Sequence, residues 1–344
     1  MLSDSFPTPA TPFLAELTAL IGAVQIQTPR EIFFAARPID LGPPDWPVAF
    51  PPPLPPLLTG LYYRLYREGY CARYQGAPAP DSAPDGPDAD FIRSLEAANP
   101  GKTRMDAGWH VVGPGPDGRF WLQKGGVART AWPGAFLTHA GPNQAPQAGQ
   151  PASIHWPHES RQLQPGTYFV IGAAVPDDVA DAPIMRFYWH VQAGGAPRLL
   201  AALAAALNRF QIPFRFKCPA HPANYSRRDA AVLYISRRDY ALVARLLAPI
   251  YYNLQACMQP DTPLFTRRLA PGLAFAEDPG TEESFGQHRC RLLAGGLWRA
   301  HELQAMSSAE RLEIIRKHFA ETGIDLDRPH LNATTREDYP WPPA

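Results

Sequence analysis

Proline sets the first limit on what this chain can fold into. Of its 344 residues, 41 are proline, many of them within the first 180. Proline fixes φ and carries no N–H, so it is excluded from helix interiors and from central strands. The runs FPPPLPPLL (50–58) and APAPDSAPDGPDAD (77–90) therefore read as breakers that cut the N-terminal third into short pieces. Around them, apolar residues at helical spacing predict helices over 13–25 and 57–74, and over FIRSLEAAN (91–99), which Asn99-Pro100 stops.

From Gly108 the period changes to two. GWHVVGPGPDGRFWLQKGGVART (108–130) reads as strand, Gly/Pro/Asp turn, strand, Gly-Gly turn, strand. Further strands are expected at 152–157, 166–173, 184–192, 214–218 and 230–236. Between them PRLLAALAAALNRF (197–210) is a helix with proline at its start. A helix over 238–256 contains Pro249, which should kink it. Two more follow at 284–304 and 308–323, the second opened by a serine N-cap with Glu310 at the capping-box position. Helices and strands come in blocks without strict βαβ alternation, so the fold class is α+β. The expected division is an N-terminal mixed domain over 1–150, a second α+β domain over 151–327 and a loosely ordered tail over 328–344.

Composition excludes several functions. Thirty-two basic residues balance 32 acidic ones, so no global attraction to nucleic acid or to an anionic membrane is implied. No apolar run is long and uninterrupted enough to span a bilayer, and the N-terminus lacks a signal-peptide pattern; the chain reads as cytoplasmic. Cys71, Cys218, Cys257 and Cys290 form no CxxC pair and are expected to be buried thiols; Cys218 beside Lys217 has no His-paired nucleophile signature. No metal-ligand spacing occurs, and GPGPDG and KGG lack the strand–turn–helix setting of a phosphate loop. No cofactor is implied.

The chemistry-bearing residues lie in the second half. IMRFYWHV (184–191) puts Arg186, Tyr188 and His190 on one side of a strand, and FRFKC (214–218) puts Arg215 and Lys217 on one face with Phe214 and Phe216 on the other. Guanidinium groups match phosphate oxygens. Lys217, one of four lysines in the chain, sits among the aromatics of FRFKC, where an amine can be desolvated and act as a base. Arg227 and Arg228 lie beside the next strand. The helix start at Glu283-Ser284, with His288 and Arg289 one turn in, reads either as an ordinary cap or as backbone N–H groups offered to an anion.

The blocks RFYWHV, IPFRFK, YSRRDAAVLYISRRDY, TPLFTRRLAPGLAFAEDPG and ESFGQHRCRLLAGGL span about 184–297, and together they resemble the HopA-type type III effector family. That family also occurs in biosynthetic clusters for class V lanthipeptides and thioamides, where a kinase-like partner phosphorylates Ser or Thr of a precursor peptide and the lyase eliminates the phosphate. The resemblance implies a phosphothreonine-lyase-like α+β domain with a largely antiparallel sheet, no cofactor, and a phosphorylated precursor peptide and a kinase-like protein as partners. The N-terminal region, with its proline-rich loops, would dock the leader peptide or the kinase. In the phosphothreonine lyases a strand lysine is the base, which corresponds to Lys217. Where they carry Lys-Phe-His as phosphate ligand and general acid, this chain has Arg186-Phe187-Tyr188. Tyr188 is a weak acid at an ordinary pKa of about 10, so His190 competes for the role and His288 is third. Arg227, oriented by Asp229, and Arg289 match the remaining phosphate ligands, with Arg215 and Ser284 as secondary candidates.

Overall fold

In a computed structural model of the protein, residues 12–40, 57–76, 86–138, 144–281, 283–336 and 339–341 are described. The proline run at 50–56 and most of the 77–90 loop lie outside them. The chain forms two compact units. One comprises Met1–Ser82, Ser226–Asp229 and Pro260–Glu337; the other comprises Ala83–Tyr225, Ala230–Gln259 and Asp338–Ala344. This differs from the expected segments 1–150 and 151–327. The strand Pro151–Trp156, just past the expected boundary, pairs with Arg104–Pro114 in the register Arg104↔Trp156 to His110↔Pro151. The hairpins on either side of residue 150 thus build one sheet.

In the first unit the helix Pro12–Gly22 ends three residues before the expected stop. Val24–Thr28 and Glu31–Phe34 then form an antiparallel hairpin, extended by Arg37–Pro38. The alternation Val24-Gln25-Ile26 is a short period-two signal that the preceding helical pattern masked. The expected helix over 57–74 is Leu57–Leu65 followed by a π-helical turn, Tyr66–Cys71. The C-terminal helices are Phe285–Glu302 and Ser308–Glu321, each with a full capping box.

The 328–344 segment is packed where it is described. Arg289, with no exposed surface, donates to the carbonyls of Pro329 at 2.7 Å and Leu331 at 2.8 Å. Glu277 accepts from the Asn332 N–H at 2.7 Å and from Thr335 Oγ1 at 2.8 Å. Leu331 is buried. Buried Leu331 and Tyr339, with the two buried charges, overcome the polar, proline-rich composition that suggested looseness.

In the second unit a small sheet runs in the order Val127–Ala131, Phe120–Lys124, Arg104–Pro114, Pro151–Trp156, Phe136–Thr138. The two glycine-containing turns are its hairpins, with Gly118 at φ +78° and Gly125 at φ +57°, a region that L side chains disfavour. The larger sheet of this unit runs Ile184–Trp189, Ala231–Ser236, Phe214–Pro219, Thr167–Ile171, Glu159–Ser160, all antiparallel. One face carries Phe187, Trp189, Leu233, Ile235 and Phe216, all buried. The helix Tyr240–Leu254, continuous through Pro249, lies against it: Tyr240 stacks on Phe187 and Tyr251 packs beside Trp189. The helix Ala196–Arg209 packs beside that helix. At roughly 1.5–3 kcal/mol for each fully buried apolar side chain, this face holds the sheet, and the opposite face can carry charge. Among the described residues no helix is long and apolar enough to cross a membrane.

Arg289→Met should lower the unfolding free energy by about 2–4 kcal/mol, because buried carbonyls would lose their donors. Urea denaturation followed by circular dichroism measures it, with the largest loss of protease resistance expected after residue 328.

Candidate phosphate-binding site

Residues directly opposite one another in an antiparallel sheet point to the same side. The register is Arg186↔Tyr234, Tyr234↔Arg215 and Arg215↔Ile171 in one row. In the next it is Tyr188↔Val232, Val232↔Lys217 and Lys217↔Phe169. Arg186, Tyr188, Arg215 and Lys217 therefore share the face that turns away from the two helices. Tyr188 and Lys217 flank Val232 at two strand spacings, about 10 Å.

Three cations surround one ring. Arg186, Arg215 and Lys217 place their charged groups 5.3, 5.8 and 5.9 Å from the centre of Tyr234. Each contact of this kind contributes ~0.5–2 kcal/mol. Arg186 is 8% exposed and Tyr188 2%, while Lys217 is half-buried and Arg215 exposed. Lys217 Nζ donates to Gln164 Oε1 at 3.1 Å. Among the described residues no carboxylate pairs with Arg215 or Lys217. A sheet face with this much positive charge and no paired carboxylate at two of its cations favours a bound anion. Tyr234 was not picked out from sequence: within VLYIS it looks like an ordinary strand tyrosine, and only the register shows its place.

His190 lies just past the end of the Ile184–Trp189 strand. It is buried, and its carbonyl accepts the Gln259 N–H at 2.8 Å. Cys218 faces the helix side, where burial pushes its thiol up to about 12, so it is no thiolate nucleophile. Cys71 and Cys290 are buried as expected, whereas Cys257 is partly exposed.

The other expected site residues belong to the first unit. Arg227 donates from Nε and Nη2 to both oxygens of Asp229, each at 2.9 Å, and Nη2 also reaches Tyr66 Oη at 3.4 Å. Asp229 thus holds the Arg227 guanidinium by two hydrogen bonds. Arg289 does not fit the expected phosphate contact. It has no exposed surface, and its donors are used by Pro329, Leu331 and His288. Ser284 is a helix cap: its Oγ accepts the Gln287 N–H while Gln287 Oε1 accepts the Ser284 N–H. Glu283 is ion-paired to Arg291 at 2.8 Å. The helix start is thus closed by its own side chains, and the cap reading replaces the anion reading. His288 Nδ1 lies 2.8 Å from Arg289 Nη1. A guanidinium only donates, so the imidazole accepts and is neutral. Burial, with Arg289 and Arg291 close by, pushes His288 down to about 3, which removes it as a general acid.

The model of the HopA1 effector protein family matches residues 158–331, half of the chain. The protein belongs to the HopA1 effector protein family. The match contains every site residue expected from the sequence. Two solved structures are similar to the chain, both of effector proteins from Pseudomonas syringae. The one from pathovar tomato strain DC3000 is 19% identical, with 73% of this chain and 86% of that chain covered and a TM-score of 0.41. The one from pathovar syringae strain 61 is 17% identical, with 79% and 88% covered and a TM-score of 0.41. No curated protein matches.

The depressed His288 has a pH signature. Its contribution to stability is fully present above the unfolded pKa of about 6.5 and is lost as pH falls toward 3, because the unfolded chain binds a proton that the folded chain refuses. One proton corresponds to at most about 1.4 kcal/mol per pH unit. His288→Gln keeps an acceptor for Arg289 and should show a shallower loss of unfolding free energy between pH 6.5 and 4 than the parent. Parallel slopes by urea titration would contradict this.

Proposed function

We propose that this HopA1-family protein is a carbon–oxygen lyase that removes phosphate by β-elimination from phosphoserine or phosphothreonine in a ribosomal precursor peptide. The observation that carries the reading is the row Arg186–Tyr234–Arg215 with Lys217 one register step away, on one sheet face. Elimination needs a base for the α-proton, cations for a phosphate dianion and a donor for the departing oxygen. The Lys217 amine takes the Cα proton; the C–H electrons form the Cα=Cβ bond; the Cβ–O bond breaks and its electrons leave with phosphate. The products are dehydroalanine or dehydrobutyrine. Arg186 and Arg215 hold the phosphate. Tyr188 shares a register row with Lys217 and is better placed than His190 to donate to the leaving oxygen. In this reading a kinase-like protein supplies the phosphorylated peptide.

The family description, an effector protein, favours a second reading in which the same face acts on a phosphoprotein of a host cell. A synthetic phosphothreonine precursor peptide and a phosphorylated host kinase, offered separately, distinguish the two by which one loses phosphoric acid in mass spectra. Binding without mass loss in either would support a non-catalytic phosphopeptide partner.

Lys217→Ala should lower the elimination rate by about 10²–10⁴-fold, the usual weight of a general base; unchanged formation of dehydrated product would overturn the assignment. Tyr188→Phe should lower kcat by at least about tenfold and alter the basic limb of the pH–rate profile, while His190→Gln should leave that limb in place. The reverse result would move the acid to His190.

A further inference from the structure

Adjoining the cationic row, within the same unit, is a cleft of about 510 Å³, a size typical of small-ligand sites. Its walls are largely apolar: Trp132, Trp156, Leu163, Ile171 and Ile184. They are held firmly. Trp156 Nε1 donates to the Gly172 carbonyl at 2.8 Å, and the Arg129 guanidinium lies over the Trp156 ring at 4.8 Å. Arg129 is in turn tied to Asp178 at 3.2 Å, and Asp178 also accepts the Thr130 N–H and hydroxyl at 2.8 Å each. The cleft's acidic groups are thus engaged with the protein itself. Asp177 accepts backbone N–H groups of Ala128, Val179 and Ala180, and Asp181 pairs with Arg238 at 2.5 Å.

Two facts connect the cleft to a peptide ligand. Arg215 and Tyr234, members of the cationic row, also line the cleft, so the two are continuous. Ser236, in the next register row opposite Ile184, is 4% exposed, lines the cleft, and its Oγ has no hydrogen-bond partner among the described residues. Leaving a buried hydroxyl unsatisfied is unfavourable, and a polar atom of a ligand would relieve it.

The spacing fixes which part of a peptide reaches it. From Tyr234 to Ser236 is two strand residues, roughly 6.8 Å. An extended peptide advances by the same distance over two residues, and residues two apart point to the same side. We infer that the cleft receives a bulky apolar side chain located two residues from the phosphorylated Ser or Thr, with the Ser236 hydroxyl donating to a backbone carbonyl of that peptide. The inference rests on the reading that Arg186 and Arg215 bind the peptide's phosphate, and it adds the substrate preference of that same site. The substrate class is therefore a phosphopeptide with leucine, isoleucine or phenylalanine two positions from the modified residue.

Calorimetry with the full chain tests it, using synthetic peptides in which a methylene replaces the phosphoserine ester oxygen so that nothing eliminates. One set carries leucine at position −2 or +2, a second carries glycine there, and a third keeps the leucine but has plain serine. A leucine side chain moved from water into the cleft should tighten binding at least about tenfold over glycine at one of the two positions. Ala135→Phe, which fills the cleft from its wall, should bring the leucine peptide to the affinity of the glycine peptide. Trp132→Ala, at an exposed position with little bearing on folding, should reduce the preference. Equal affinity of leucine and glycine peptides for the parent protein overturns the cleft inference and leaves the phosphate reading standing. Equal affinity of the phosphonate and plain-serine leucine peptides overturns the phosphate reading while the apolar cleft stands. A preference for leucine that survives Ala135→Phe overturns the placement.

Discussion

Everything at the candidate site depends on the antiparallel register that sets Tyr234 between Arg186 and Arg215. A slip of one residue in either pairing would turn those side chains onto the helix-covered face. That face is closed to charge by Phe187, Trp189, Leu233 and Phe216, so the apolar packing on one side of the sheet fixes where the cations go on the other. At an effective dielectric constant of about 20, two unit charges ~10 Å apart repel by about 1–2 kcal/mol, comparable to what the Tyr234 ring returns to each cation. The row adds little to fold stability and is strongly favourable to an anion. This is the physical basis of the proposed phosphate site.

The arginines differ in what they do because their acceptors differ. Arg215 has a ring beneath it and, among the described residues, no carboxylate partner. Arg227 is committed to Asp229, and Arg228, 3% exposed, reaches Glu16 at 2.6 Å and the carbonyls of Gly69, Ala72 and Thr262. Arg289 ties down the segment after the last helix. The π-helical turn Tyr66–Cys71 turns carbonyls toward Arg228. The same residue type therefore serves as anchor in one place and as candidate ligand in another.

Most elements were legible in the sequence because their periods are clear: the three strands after residue 104, the alternation in IMRFYW and FRFK, and the two capped C-terminal helices all stand where the pattern puts them. The start of the Val24–Thr28 strand, Val24-Gln25, falls inside the expected helix over 13–25 because three alternating residues weigh little beside a longer helical pattern. The α+β class followed from the order of blocks. The division into units did not, since segments far apart in sequence, such as 226–229 and 1–82, share a unit.

The sequence by itself determined which side chains lie on the same side of a strand, because the period of two is a local property of the backbone. It placed Arg186 with Tyr188 and Arg215 with Lys217. Tertiary structure decided which strands are neighbours, and so brought Tyr234 into the row and the cleft beside it. It also decided that Arg289, Ser284 and His288 are spent on carbonyls, a helix cap and a neighbouring guanidinium. Register and hydrogen-bond partners are set by contacts between distant residues, and no local pattern encodes them.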